Sequence, residues 1–153
     1  MNKLQELLSQ LSLYLGLEQP AENTDFATLE INGLPLDLII DERSGDQELV
    51  IYSSLGTVPV NHELQAYRAF LEANLFWSGT GDGTLGVNSE THEAFIAYKV
   101  PEHLIDRLNN EGFIKLVSLF MEIVADWRNY IVSLIEAGTP LAPPQTHSNI
   151  LKV

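Results

Sequence analysis

The residues suited by type and spacing to chemistry fall into four groups in this 153-residue chain. The first, Gly81-Asp-Gly-Thr-Leu-Gly86, has the letters of a GxGxxG nucleotide loop. Such a loop works because it leaves a strand and opens a helix, which aims helix amides at an anion. Here the order is reversed: the loop leaves a helix with Leu64, Tyr67, Leu71 and Leu75 on one stripe and enters a strand at Leu85 and Val87. No Lys follows as in a P-loop, so the glycines read as a joint between elements. The histidines form the second group. His62-Glu63 and His92-Glu93 are adjacent pairs, but no second His stands four residues on, as a zincin-type site requires. With His103 and His147 they are expected as solvated surface histidines. In the third group, Asp37, Asp41 and Glu48 carry oxygens suited to acid-base work or a hard cation. They lie along one strand face without a glycine-turned ligand loop, and a charged face that discourages edge pairing accounts for them. The fourth group, Ser53, Ser54 and Ser78, lacks a G-x-S-x-G elbow. No catalytic, metal-binding or cofactor-binding residue is nominated.

Composition narrows the remaining chemistry. With no cysteine, there is no disulfide, thiolate nucleophile or sulfur-ligated metal. Apolar residues make up 45% and charged residues 19%, the balance of a globular domain. A net charge of −13 repels nucleic acid and acidic lipid surfaces. The acids concentrate early: residues 1–66 carry 2 basic and 11 acidic side chains, residues 67–153 carry 6 and 10. No apolar run reaches the roughly 20 residues that span a bilayer, and the start MNKLQELLSQ lacks a cleavage pattern. The expectation is a soluble, uncleaved cytoplasmic protein with no membrane insertion and no nucleic-acid partner.

The elements that must position these residues follow from periodicity. Leu4, Leu8, Leu11 and Leu15 form one helical stripe, with Leu7 beside it, and Gly16 stands where a helix ends in a left-handed turn. Three strand-like runs follow, FATLEI, LPLDLIID and ELVIYSSL, the first two separated by Asn32-Gly33, a strong hairpin signal. A two-residue turn there sets Leu29 opposite Leu36, Ala27 opposite Leu38 and Ile31 opposite Leu34. A turn at residues 42–47 sets Leu38 opposite Ile51 and Ile40 opposite Leu49. The same registers align Phe26, Ile39 and Val50 in a row on the opposite face, with Tyr52 next to it.

Asn61 is expected to cap a second helix that stops near Trp77. The second hairpin pairs Leu85 with Ile96 and Val87 with Ala94 around the loop Asn88–Glu93. After Pro101 the pattern is helical, broken near Asn110–Gly112, and Phe113, Leu116, Phe120, Val124, Trp127, Ile131 and Leu134 then share one stripe. Gly138-Thr139-Pro140 stops it. The reading is a single α+β domain over 1–138 in the order α-βββ-α-ββ-α, with a largely antiparallel twisted sheet packed against helices, and a flexible C-terminal tail over 139–153. One sheet face needs cover, yet the chain supplies three apolar helix stripes, the Phe26 row and Phe76-Trp77. Some of that surface is expected to meet another chain.

The leucine-striped first helix, the meander, the helix ending in LEANLFW, the glycine break before TLGVNSETHEAFIAYKVP and the helix ending in WRNYI resemble the class I type III secretion chaperones. That family includes the Tir chaperone. The resemblance covers roughly residues 1–137, and Leu71–Leu85 is its most specific piece. It implies a cytoplasmic homodimer without enzymatic activity or cofactor. Such a chaperone holds the N-terminal chaperone-binding segment of secreted effectors extended and soluble before export, with the secretion ATPase as a further partner. By the same resemblance the dimer interface falls on Leu64, Tyr67, Leu71, Leu75 and Phe76. Effector-binding patches fall on Leu4, Leu7, Leu8 and Leu11 of the first helix and on Phe26, Ile39, Val50 and Tyr52 of the sheet. The alternative within the same resemblance is a chaperone-like protein that sequesters a transcription or secretion regulator. A small hydrolase or metal enzyme built on Asp37, Asp41 and Glu48 is the competing class.

Overall fold

The computed structural model describes residues 3–19, 25–41, 43, 45, 48–136 and 138–145. Helix α1 (Lys3–Leu15) stops at Gly16, where φ is 69°, a left-handed backbone that glycine takes without a Cβ penalty. Leu17 N–H then donates to the Ser12 carbonyl at 2.8 Å and Gly16 N–H to the Leu13 carbonyl at 3.2 Å, the paired bonds of a Schellman stop. Strands β1 (Phe26–Ile31) and β2 (Leu34–Asp41) are joined by Asn32-Gly33 with φ of 52° and 78°, a type I′ turn whose twist suits a hairpin. Strand β3 (Glu48–Thr57) continues the meander, and each expected register holds, Leu29 on Leu36 and Leu38 on Ile51 among them.

Strands β4 (Thr84–Val87) and β5 (Glu93–Val100) form the second hairpin, with Leu85 opposite Ile96 and Val87 opposite Ala94. β5 docks beside β3, which gives one antiparallel sheet in the order β1-β2-β3-β5-β4. A bulge between Ser54 and Gly56 bends β3 where it meets β5. Helix α2 (Glu63–Asn74) packs at the β4 end, a short helix α3 (Glu102–Ile105) follows β5, and α4 (Asn110–Ile135) crosses β2 and β3 with α1 packed on it. All seven stripe residues of α4 are buried, as are Leu36, Leu38, Leu49 and Ile51 of the sheet.

Three boundaries differ from the expectation. Asn61 lies within a 3-10 turn, Val60–His62, and His62 occupies the cap of α2 without a side-chain capping bond. The break before α4 falls at Asp106–Asn109, where the Asn109 side chain accepts the Gly112 N–H at 2.7 Å. Regular α2 ends at Asn74, and the next turn, Leu75–Trp77, holds Phe76 and Trp77 in left-handed backbone, with φ of 52° and 56°. For residues other than glycine that backbone costs roughly 1–2 kcal/mol each.

Two interactions hold this turn in place. Trp127 Nε1–H, on α4, donates to the Gly79 carbonyl at 2.8 Å, and its ring meets Phe70 and Tyr130 edge to face at 5.5 Å. The Asn74 amide takes the place of a neighbouring strand on β4: it accepts the Leu85 N–H at 2.9 Å and donates to the Leu85 carbonyl at 3.0 Å. Gly79 serves packing, since a Cβ there would lie 2.6 Å from the Ala73 Cβ and 2.8 Å from the Pro144 carbonyl. Pro144 belongs to the stretch expected as a tail. That stretch runs against the body as far as Gln145, with Leu141 N–H donating to Ser133 Oγ at 3.1 Å, and residues 146–153 lie outside the described residues.

Asn74→Ala strips Leu85 of both partners and should cost about 1–3 kcal/mol of stability. Chemical denaturation checks this, with hydrogen exchange of the Leu85 amide expected to accelerate more than that of Ile51.

Candidate functional site

The sheet face turned away from α4 carries the expected row. Phe26 pairs with Ile39, Ile39 with Val50 and Val50 with Lys99, so the row crosses four strands from the β1 edge. Phe26 is half exposed, and Ile39 and Val50 are partly so. A second row lies beside it: Thr28, Asp37, Tyr52, Ala97 and Thr84. The Tyr52 ring packs edge-on against Phe95 with centroids 6.3 Å apart. Burial holds the Tyr52 phenol above its ordinary pKa, and the charge of Asp37 adds to this. The result is a shallow strip of apolar and aromatic groups bordered by carboxylates. No local signal in the sequence marks Phe95, because only the long-range pairing of β3 with β5 brings it to Tyr52.

Asp37, Asp41 and Glu48 each have a partner of their own. Thr28 Oγ1 donates to Asp37 Oδ1 at 2.7 Å, and Lys99 pairs with Glu48. Arg43 donates to both Asp41 oxygens, from Nε at 2.9 Å and Nη2 at 2.7 Å, with its backbone N–H on Oδ1 at 3.0 Å. Asp37 and Asp41 stand four residues apart on one strand, roughly 13 Å at 3.3 Å per residue, too far to share a proton. Among the described residues no group of three or more His, Asp or Glu side chains is placed to hold a metal. The histidine expectation needs one correction: His92 Nδ1 lies 2.7 Å from Glu63 Oε1, tying the β4–β5 loop to the start of α2.

Helix α2 turns its small side inward. Ala66, Ala69, Phe70 and Ala73 are buried, and the three alanines let the helix approach the body closely. The larger side chains point out: Leu64 is 76% exposed, Leu71 73%, Leu75 61% and Phe76 83%, with Tyr67 half-buried at the margin. Val60 and Trp77 extend this surface at its two ends. Apolar groups in such a contiguous stripe mark a surface that another molecule covers.

The first helix departs from the expectation. Leu7, Leu8 and Leu11 are core residues at 3% exposure or less, so in this arrangement they face α4 and not a partner. The Leu4 side chain lies outside the described residues. Among the described residues, the large apolar side chains that α1 exposes are Leu13 and Tyr14. A signal for them was present, since both fall off the leucine stripe that an amphipathic helix buries.

The model of the Tir chaperone protein (CesT) family matches residues 6–128. Among similar solved structures, the ExsC–ExsE complex superposes with a TM-score of 0.67 at 14% identity, covering 84% of this chain and 93% of that one. The HopA1–SchA chaperone–effector complex gives 0.58 at 14% identity, covering 82% and 90%. The ExoT–SpcS complex from Pseudomonas aeruginosa gives 0.54 at 21% identity, covering 82% and 94%. At these identities the likeness is one of fold. No curated protein sequence matches the chain.

The Asp41–Arg43 pair yields a pH prediction. The guanidinium hydrogen bonds hold the Asp41 carboxyl well below the usual carboxylate range, so its folded pKa lies under its unfolded one. The stabilisation is then complete above the unfolded value of about 4 and fades as the pH falls below it. Asp41→Asn should lower the melting temperature by a constant amount between pH 5 and 8, a gap that closes on acidification; a gap that widens in acid would reverse the assignment.

Proposed function

The chain belongs to the Tir chaperone protein (CesT) family, matched over residues 6–128, and from that membership we propose that it acts as a type III secretion chaperone. In this reading it is a non-enzymatic cytoplasmic protein that binds the N-terminal chaperone-binding segment of secreted effectors and keeps it extended and soluble for export. The observation that carries the reading is the uncovered row Phe26–Ile39–Val50 beside an edge strand. An extended segment can pair with the β1 edge through its backbone while alternate side chains settle on the row. The acids around the row favour a basic segment and set its register. Among the described residues no helix is long and apolar enough to cross a membrane.

The exposed stripe of α2 is assigned to a second copy of the chain, through Leu64, Tyr67, Leu71, Leu75 and Phe76. A two-fold axis would bring the same stripe from both copies together, which is how self-complementary surfaces close. The contribution of α1 to partner binding is assigned to Leu13 and Tyr14, since Leu7, Leu8 and Leu11 are committed to the core.

Two experiments separate these roles. Leu71→Glu with Leu75→Glu buries a charge pair in any symmetric interface, and light scattering should report a monomer where the unaltered chain gives a dimer; a dimer in both would remove the assignment. Phe26→Ser, Ile39→Ser and Val50→Ser together should lower affinity for a co-expressed effector N-terminus at least about 100-fold, or roughly 3 kcal/mol. The chain should still melt cooperatively. Loss of the fold would make the row core, and capture of a regulator in place of effectors would favour the sequestration reading.

A further inference from the structure

None of the surfaces above uses the segment after α4. Instead of leaving the body, residues 141–145 run beside α2. Leu141 N–H donates to Ser133 Oγ, and the same hydroxyl donates to the Tyr130 carbonyl at 2.6 Å, so a buried serine of α4 tethers the segment. Pro143 and Pro144 then form one wall of a groove of about 380 Å³ whose other wall includes Ala69 and Ala73 of α2. Prolines suit an extended strand that has no ladder to join, because φ is preset and no N–H is left to satisfy.

The end of this segment meets the joint at its tightest point. The Pro144 carbonyl packs on Gly79, whose own carbonyl takes the Trp127 indole N–H and whose N–H donates to Ala73 at 3.1 Å. Just before Gly79, Phe76 and Trp77 sit in left-handed backbone. A pair of non-glycine residues keeps that conformation only where its surroundings over-determine it. The relaxed alternative is right-handed continuation of α2, which would carry Leu75, Phe76 and Trp77 to new positions and take Asn74 away from Leu85.

We propose that Leu141–Gln145 is a latch on the glycine joint: docked, it holds the left-handed Phe76-Trp77 turn, and undocked, it frees that turn. The direction in which α2 presents its last apolar residues then depends on the C-terminal segment. The proposal rests on the joint's geometry and not on the identity of any partner.

Residue-resolved hydrogen exchange tests it on the full chain, a chain ending at Thr139, and a full-length Ser133→Ala variant. The amides of Ser78, Gly79, Thr80 and Gly83, all donors within the joint, should exchange at least about tenfold faster in the shortened chain, with β2 and β3 unchanged. Ser133→Ala should shift the same amides in the same direction by less. If joint protection stays within about twofold of the full chain in both variants, or if all amides accelerate together, the segment is no latch. Should the shortened chain fail to fold, the Ser133→Ala result alone decides.

Discussion

The rest of the structure leans on the buried indole of Trp127. A tryptophan taken out of water needs a partner for its N–H, and α4 supplies none because its own carbonyls are engaged in the helix. The partner is the carbonyl of Gly79, 48 residues earlier in the chain. That single bond fixes the glycine joint against α4, and the joint in turn fixes where α2 ends and where β4 begins. Leaving the carbonyl and indole unmet would cost about 1–3 kcal/mol, a sizeable part of the roughly 5–15 kcal/mol that holds a domain folded. The rings of Phe70 and Tyr130 on either side make the site specific to an aromatic group of this size.

Pinning α2 this way has a consequence for its exposed side. A helix held close to the body must turn its smallest residues inward, and Ala66, Ala69 and Ala73 are those residues. Leu64 and Leu71 are then forced outward by the 3.6-residue period, and Leu75 follows at the turn that ends the helix. The sheet shows a parallel logic: period-two alternation sends Leu36, Leu38, Leu49 and Ile51 under α4, and the residues of the other phase, Phe26, Ile39 and Tyr52, must therefore go to the uncovered face. Both open surfaces are by-products of the same burial rules that build the core.

This explains what the sequence could and could not disclose. The β1–β2–β3 registers were legible because Asn32-Gly33 pins one turn and the alternation admits a single solution for the next. The α4 stripe was legible because its apolar residues recur without interruption. The pairing of β5 with β3 was not, since no local signal specifies a partner some 40 residues away; Phe95 and the Lys99–Glu48 pair come with it. On α1 the period of the leucine stripe is legible, and what covers it is not. Periodicity identifies a face that will be buried but not whether α4 or a partner buries it, and here α4 covers Leu7, Leu8 and Leu11. Asn74 carried no legible signal either. A polar residue at a helix end is unremarkable until the strand edge it serves is known.

The magnitudes also bear on what can cover the two open surfaces. Burying one large apolar side chain is worth about 1.5–3 kcal/mol, so Leu64, Leu71, Leu75 and Phe76 together offer roughly 6–12 kcal/mol. Association costs about 4–15 kcal/mol, which one copy's stripe does not reliably exceed. A two-fold partner counts the stripe twice, roughly 12–24 kcal/mol, which meets most of that cost. The sheet face has no such symmetry to draw on. Its strip is shallow and interrupted by Asp37 and Lys99, so side-chain burial alone leaves a partner short. The β1 edge leaves backbone groups open to pairing, and only an extended segment can use them. The two surfaces therefore differ in what they offer: α2 a self-complementary apolar stripe, the sheet an apolar row beside a strand edge.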